Sequence, residues 1–195
     1  SDLRAWRRML KALNEPTGGT EVAVVGKYIS RQSAYESIYE ALQHGGIANK
    51  ARVRIRRVES EDIEARGPAA CLDGVHGILV PGGFGMRGME GKIQAARYAR
   101  ETGIPYFGIC LGMQVAVIEF ARNVCGMEGA NTTEIERDTG CPVISLLEEQ
   151  RRVTHMGGTM RLGAQDCRIS EGSLARRAYG QDSIQERHRH RYEFN

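Results

Sequence analysis

The sequence has 195 residues, of which 41% are hydrophobic and 26% are charged, and its formal net charge is +3. A chain of this length is typical of one domain, and on folding it buries roughly 70% of the surface that its unfolded form exposes. The composition excludes an intrinsically disordered chain and a membrane protein, and the interspersed charges of both signs argue against a nucleic-acid partner.

The cysteines and the N-terminus indicate the cellular compartment. Five cysteines are spread along the chain and never form a C-x-x-C pair, which argues against a disulfide framework and against a metal site. The N-terminus lacks the apolar segment of a secretory signal, and no apolar run reaches the roughly 18 residues of a membrane span. We therefore expect a cytoplasmic protein with reduced thiols and no membrane partner.

The first predicted element is a short amphipathic helix at residues 2–13, which a cluster of helix-breaking residues at 14–19 follows. Its apolar positions recur at spacings of three or four and are Leu3, Trp6, Leu10 and Leu13. The helix either packs on its own domain or docks onto a neighbour. We expect residues 1–20 to be a helix and linker that follow a preceding domain, and residues 21–195 to form one domain that is incomplete at its C-terminus.

From residue 21 onward, short apolar runs alternate with helical stretches. The helix that begins near residue 34 is predicted to end at Gly45-Gly46, and the segment between the second and third strands reads as turns. The alternation is typical of α/β folds with a doubly wound, mostly parallel sheet and flanking helices. Strands are predicted at residues 22–26, 53–58, 77–80 and 104–109, and helices at 34–44, 88–102 and 111–122.

After Asn131 the pattern changes to short segments that turns separate. The segments at 142–147, 159–162 and 167–169 predict an antiparallel or irregular extension. Period-two alternation at residues 186–193 predicts a strand with three arginines on one face, namely Arg187, Arg189 and Arg191.

The strongest signal for chemistry is the string G-I-C-L-G at residues 108–112, where a predicted strand gives way to a helix. It has the pattern of a nucleophile elbow with Cys110 as the nucleophile, exposed at the carboxyl edge of the sheet. The N-terminus of the following helix favours thiolate over thiol. The alternative is a small buried hydrophobic side chain. That is our expectation for the other four cysteines, Cys71, Cys125, Cys141 and Cys167.

A second glycine-rich string, V-P-G-G-F-G, occupies residues 80–85 at the end of the preceding predicted strand. Such a loop can turn backbone N–H groups toward a developing oxyanion, together with the N–H of Leu111. By itself the string also fits an ordinary tight turn, and it lacks the G-K-S/T ending of a phosphate-binding loop. Its functional reading therefore depends on the nearby elbow.

Taken together, the strings at residues 80–85 and 108–114 resemble the glutaminase domains of class I glutamine amidotransferases. Four further strings resemble the CTP synthases of that family: V-G-K-Y-I at 25–29, N-T-T-E at 131–134, G-G-T-M-R-L-G at 157–163 and E-R-H-R-H-R-Y-E at 186–193. The resemblance covers the chain from about Glu21 to its end, with the strings in family order. It implies glutamine hydrolysis that supplies ammonia for the ATP-dependent amination of UTP to CTP.

The resemblance also implies roles for single residues. Cys110 would attack the side-chain amide of glutamine and form a glutamyl thioester, while Gly83 and Leu111 would supply the oxyanion N–H groups. Arg191 would bind the substrate carboxylate and Glu134 its ammonium group. Arg87 and Glu90 resemble a region that the family links to activation by GTP. The implied oxyanion and substrate site comprises Gly82, Gly83, Leu111, Gly112, Met113, Gln114, Glu134 and Arg191.

The R-H-R-H-R run at residues 187–191 has other readings. It could be a solvated charged strand or an RNA or phosphate patch, although no aromatic platform accompanies it. His188 and His190 are not assigned as the base for Cys110, because the family does not use those positions and because alternation points them away from Arg191.

The sequence departs from the family pattern at one point. Class I glutaminases complete a Cys-His-Glu triad with an H-P-E motif, and none of the five histidines here has a glutamate two residues later. We expect a chain that ends at Asn195 to be inactive by itself.

The resemblance implies several partners and leaves two alternative functions open. The partners are L-glutamine as substrate and an N-terminal amidoligase domain that holds ATP and magnesium, with no cofactor in this domain and a homo-oligomer as the intact enzyme. One alternative is another elbow-cysteine hydrolase, such as a γ-glutamyl hydrolase or a related peptidase. The other is a catalytically dead binding or assembly module.

Overall fold

The computed structural model describes residues 2–27, 29, 32–147, 150 and 160–195. Its central sheet has four strands in the order β2-β1-β3-β4, and every neighbouring pair in it is parallel. The strands are β1 (Gly18–Gly26), β2 (Ala51–Glu59), β3 (Gly77–Val80) and β4 (Tyr106–Gly108). Because parallel strands present their carboxyl ends at one edge, the loops after β1, β3 and β4 all leave the sheet on the same side.

Helices cover both faces of this sheet, so the predicted doubly wound α/β fold is confirmed. On one face, Val24 and Leu79 pack with Tyr39 of the first of these helices. On the other face, Ala23 and Val25 pack against residues of the next three helices, as expected for strand side chains that alternate between faces. The helices are α2 (Glu36–Ala48), α3 (Ser60–Arg66), α4 (Pro68–Leu72), α5 (Met89–Thr102) and α6 (Leu111–Asn123).

The C-terminal part of the chain adds two smaller sheets. A three-stranded sheet has the order β5-β6-β9, with β5 parallel and β9 antiparallel to β6. Strands β7 and β8 form an antiparallel pair, as predicted for this region, and the short helix α7 lies between them in sequence. The elements are β5 (Ala130–Thr132), β6 (Cys141–Ser145), β7 (Arg161–Arg168), α7 (Leu174–Tyr179), β8 (Ser183–His190) and β9 (Glu193–Phe194).

Three details of the predicted elements are wrong. Helix α2 runs through Gly45-Gly46 instead of ending there, because Gly46 lies where the helix approaches β2 and a Cβ atom would come within 2.7 Å of the Val53 side chain. The predicted turns after β2 are the short helices α3 and α4. Strand β7 is continuous at residues 161–168, where two separate segments were predicted, and the start of the first segment lies outside the described residues.

The N-terminal helix α1 (Arg4–Asn14) forms as predicted, but none of its residues is buried. Its apolar stripe includes Trp6, which is 62% exposed, and Leu10 and Leu13, which are also exposed. The predicted linker is shorter than expected, since β1 already begins at Gly18, which pairs with Ala51. Burial therefore does not support the expectation that this helix packs its apolar stripe on its own domain.

Candidate functional site

Cys110 lies in a sharp turn between β4 and α6, as the elbow pattern predicted. Its φ and ψ are 55° and −109°, a conformation that costs a non-glycine residue about 1–3 kcal/mol and persists only when its surroundings impose it. The surroundings here are tight: a Cβ atom on Gly112 would overlap the Val80 carbonyl, and one on Gly108 would overlap the backbone of Gly112. Glycine is therefore required on both sides of the nucleophile.

Hydrogen bonds fix the first turn of α6 directly behind the thiol. The N–H groups of Met113 and Gln114 donate to the Cys110 carbonyl over 3.1 and 3.2 Å. The hydroxyl of Tyr106, at the start of β4, donates to the Gly112 carbonyl over 2.8 Å. Strand and helix are thus tied together on both sides of the elbow.

Two backbone N–H groups from different parts of the chain lie near the Cys110 sulfur and lower the pKa of the thiol. One belongs to Leu111, at the start of α6, and the other to Gly83, in the loop after β3. Gly82 supports this approach, because a Cβ atom there would lie 3.3 Å from the Cys110 Cβ atom. Paired N–H donors beside a nucleophile are the arrangement that stabilises the oxyanion of acyl transfer.

The electrostatic prediction for the thiol is only partly right. Burial raises the pKa of Cys110 above its ordinary value, the N–H groups of Leu111 and Gly83 lower it, and the carboxylates of Glu193 and Glu134 raise it. The net pKa shift is upward, because desolvation disfavours the charged form more than the two donors favour it. Cys110 is therefore a protonated thiol near neutral pH, and it needs a base to become a nucleophile.

The thiol opens onto a cavity of about 450 Å³, which is within the size range of small-molecule sites. Five residues of the predicted site line this cavity: Gly83, Cys110, Gln114, Glu134 and Arg191. The other four, Gly82, Leu111, Gly112 and Met113, form the elbow and the adjoining loop. The structure thus brings the predicted site together from α6, the loop after β3, the segment after β5 and the end of β8.

Two of these lining residues also tie the walls of the cavity to each other. Gln114 is 5% exposed, and its side-chain amide donates to the Tyr192 carbonyl over 2.7 Å. Glu134 accepts a hydrogen bond from the Gly85 N–H over 3.3 Å. Residues that face the cavity therefore also hold its C-terminal wall and its glycine-rich loop.

The prediction that His190 points away from Arg191 is wrong, since both residues line the cavity. Strand β8 ends at His190 and the chain bends at Arg191 and Tyr192, so period-two alternation no longer applies there. The Nδ1 atom of His190 lies 3.5 Å from Glu193 Oε2, and its ring packs at 5.2 Å from that of His188.

Other lining residues were not assigned to the site from the sequence: Phe84, Met160, Arg189, His190 and Tyr192. All five stand inside strings that were already singled out, so a closer reading of those strings could have included them.

Arg87 and Glu90 lie outside this lining. Arg87 forms an ion pair with Glu61 over 3.6 Å, and Glu90 forms one with Arg122 over 3.0 Å. Both pairs join the region around the N-terminus of α5 to other helices. The structure therefore gives these two residues local ionic partners and leaves their predicted link to GTP untested.

The described ranges also bear on metals and membranes. No group of three or more His, Cys, Asp or Glu side chains there is arranged to hold a metal ion. No helix within those ranges combines the length and the apolar character that crossing a bilayer requires. All five cysteines are free thiols.

Comparison with known proteins was informative at three levels. The family model described as glutamine amidotransferase class-I matches residues 32–195. A CTP synthase of Syntrophus aciditrophicus is 55% identical over 193 residues, which cover 99% of this chain and 36% of the relative. A CTP synthase of Thermococcus kodakarensis is 53% identical over 194 residues, which cover 100% of this chain and 36% of the relative.

A solved structure is similar in both fold and sequence. The glutaminase domain of Trypanosoma brucei CTPS with bound acivicin superposes with a TM-score of 0.83 and 41% identity, covering 90% of this chain and 68% of that one. The chain spans little more than a third of the length of the curated relatives, 36% in the first case. From its fold, its elbow and these matches, the chain belongs to the class I glutamine amidotransferase family, and its similarity within that family is to the glutaminase domain of CTP synthases.

Proposed function

We propose that Cys110 hydrolyses L-glutamine through a covalent glutamyl thioester. The sulfur attacks the side-chain amide carbon, the C–N bond breaks, and ammonia leaves after its nitrogen has gained a proton. Water then attacks the thioester, which releases glutamate and restores the thiol. The observation that carries this proposal is the convergence of the Gly83 and Leu111 N–H groups on the Cys110 sulfur beside the cavity.

The charged groups of the cavity suit the two ends of a free amino acid. Arg191 and Glu134 both line it and carry opposite charges, so they match the carboxylate and the ammonium group of glutamine. A guanidinium binds a carboxylate through two parallel hydrogen bonds, which fixes orientation as well as charge. A substrate with both groups free is favoured over a peptide, in which both are capped.

The upward shift of the Cys110 pKa makes a base necessary. The chain contains no histidine with a glutamate two residues later. We assign the missing base and its orienting carboxylate to an H-P-E motif in the part of the longer relatives that this chain does not span. The 195 residues alone should therefore hydrolyse glutamine only negligibly.

The longer protein would use the ammonia in the cytoplasm to convert UTP to CTP, in an amidoligase domain that binds ATP and magnesium. This proposal rests on the CTP synthase relatives, of which the chain covers about a third, 36% in one case. GTP activation through Arg87 and Glu90 and assembly into a homo-oligomer are part of the same proposal. No step in the glutaminase chemistry above requires a metal or a cofactor.

Helix α1 would belong to the junction with that amidoligase domain. Its exposed stripe contains Leu3, Trp6, Met9, Leu10 and Leu13. Contiguous exposed apolar surface of this kind is typical of an interface. A triple substitution of Trp6, Leu10 and Leu13 by serine in the full-length protein should therefore weaken the contact between the domains, which limited proteolysis would detect as faster cleavage near residue 16.

The glutaminase proposal is tested by mass spectrometry on the full-length protein. During turnover with glutamine, acid quenching should trap a glutamyl group on the peptide that contains Cys110, and Cys110→Ser should carry none. The Cys141→Ser variant is the matched control, because Cys141 lies on β6 and does not line the cavity. Ammonia release without any adduct on Cys110, and equally fast in Cys110→Ser, would refute the thioester.

A further inference from the structure

The loop that carries the Gly83 N–H is rich in glycine. It joins β3 to α5 and contains four glycines, of which Gly85 and Gly88 have φ values of 80° and 69°. Glycine loses more conformational freedom on folding than any other residue. An oxyanion donor acts only if it is held in place before the reaction, so this loop needs anchors.

Lys27, just beyond the end of β1, is one anchor. Its Nζ atom donates to the carbonyl of Phe84, the residue directly after Gly83. Its side chain also passes beneath the loop, since a Cβ atom at Gly83 would lie 3.9 Å from the Lys27 Cε atom. Because β1 and β3 are neighbours in the central sheet, this contact ties the loop to that sheet.

Lys92, on α5, is a second anchor at the other end of the loop. Its side chain is buried, with the residue only 2% exposed, and its Nζ atom donates to the Gly88 carbonyl over 3.1 Å. Burial is the main cause that lowers the pKa of Lys92 to about 8, and the nearby charge of Lys27 contributes to the same shift. A buried ammonium group is costly, so an apolar side chain of similar volume would often stabilise the fold equally well or better.

We propose that Lys27 and Lys92 are positioning residues that hold the Gly83 N–H in its oxyanion-binding orientation. Neither residue appears among the described residues that line the cavity, so they act through the loop and not on the substrate. Lys27 holds the carbonyl of the residue after the donor, and Lys92 holds the turn into α5. This inference rests on the proposed glutamine hydrolysis and adds to it the means by which the donor is kept in place.

The test for Lys27 compares two reactions of Cys110 in the full-length protein. Thioester formation develops an oxyanion, whereas alkylation by iodoacetamide occurs at a saturated carbon and develops none at the loop. Because an oxyanion donor contributes about 10² to 10³ in rate, Lys27→Met should lower kcat for glutamine at least about tenfold, with KM changed less than about threefold. The rate of Cys110 alkylation should fall much less than kcat, because in that reaction the Gly83 N–H acts only through the thiolate fraction of Cys110.

Two matched variants complete this test. Lys27→Arg keeps a cationic donor and should recover most of the lost kcat, while Lys11→Met removes an exposed lysine from α1 and should leave kcat unchanged. An unchanged kcat in Lys27→Met overturns the role of Lys27. A parallel loss of turnover and alkylation also overturns it, because it would indicate a general collapse of the site.

For Lys92, stability and activity should move apart. Lys92→Met should fold at least as stably as the parent, since it removes a buried charge, and yet should lose kcat. A variant that loses both stability and kcat, or that loses neither, would contradict a positioning role. If the parent itself releases no ammonia from glutamine, the proposed function fails and this inference fails with it. If the parent and the lysine variants all hydrolyse glutamine at the same rate, only the positioning role is refuted and the proposed function stands.

Discussion

The backbone N–H of Gly83 lies close enough to the sulfur of Cys110 to lower the pKa of that thiol, although the two residues lie in different loops. The register of the central sheet explains the contact, because Val80 at the end of β3 pairs with Gly108 at the end of β4. Gly83 lies three residues after Val80, and Cys110 lies two residues after Gly108. The two loops therefore start side by side and face each other. Sheet geometry thereby brings donor and nucleophile together.

Closeness of this kind makes the elbow intolerant of added volume. Gly112→Ala should lower the free energy of unfolding by about 1–3 kcal/mol. The new Cβ atom would overlap the Val80 carbonyl, a backbone group that cannot rotate away. Gly129→Ala is the matched control, since a Cβ atom there meets nothing within 4 Å. Urea denaturation of both variants measures the difference, and equal midpoints would contradict the packing described for the elbow.

The raised pKa of Cys110 predicts that two reagents will label the cysteines in opposite orders. At neutral pH iodoacetamide should label the exposed residues Cys125 and Cys167 before the protonated, half-buried Cys110. Acivicin, which is bound in the Trypanosoma brucei glutaminase domain, should instead label Cys110 first, because the cavity selects an amino acid. Peptide mapping after partial labelling measures the order, and preference of acivicin for any other cysteine would contradict the site.

Charge recognition by Arg191 is tested through glutamine binding. Removing one partner of a buried, hydrogen-bonded charge pair typically costs about 2–5 kcal/mol, so Arg191→Ala should weaken binding at least about tenfold. Arg187→Ala is the control, because Arg187 is exposed on β8 and does not line the cavity. Titration calorimetry on the Cys110→Ala background avoids turnover. Similar affinities in both arginine variants would mean that the R-H-R-H-R segment at residues 187–191 is merely a solvated strand.

Lys92 predicts a stability difference that depends on pH. Its pKa is about 8 in the folded protein and 10.5 in an unfolded chain, so the unfolded state binds more protons between these values and the parent gains stability as pH rises. Below pH 8 the buried charge destabilises the parent by about 3 kcal/mol at most. The free energy of unfolding of Lys92→Met should therefore exceed that of the parent most at neutral pH and least near pH 10. A difference that does not change with pH would contradict the burial of a charged Lys92.

The parts of the fold and site that could be predicted from the sequence are those set by neighbours in the chain. The elbow around Cys110 and the glycine loop at Gly83 depend on local turn chemistry, and an apolar run such as residues 77–80 identifies a buried strand. Their meeting follows from the general rule that parallel strands end at one edge of a sheet. These predictions needed no knowledge of distant contacts.

The remaining features depend on contacts between distant segments. Gly46 reads as a helix end, yet it is a point of close packing against β2. The burial of Lys92 on α5 was not predicted, because it depends on α3 and on the loop that precedes α5. The bend after His190, which places that residue and Arg191 on one cavity, arises where β8 stops pairing with β7. The raised pKa of Cys110 likewise reflects burial that only the folded domain creates.

The most direct test of the central claim compares nitrogen sources in the full-length protein with Cys110 replaced by alanine. CTP formation from UTP and ATP should fall to background with glutamine and should remain near the parent rate with free ammonia, because only the source of ammonia is destroyed. Equal loss with both nitrogen sources, or retained synthesis from glutamine, would contradict the assignment of Cys110 as the nucleophile that releases ammonia.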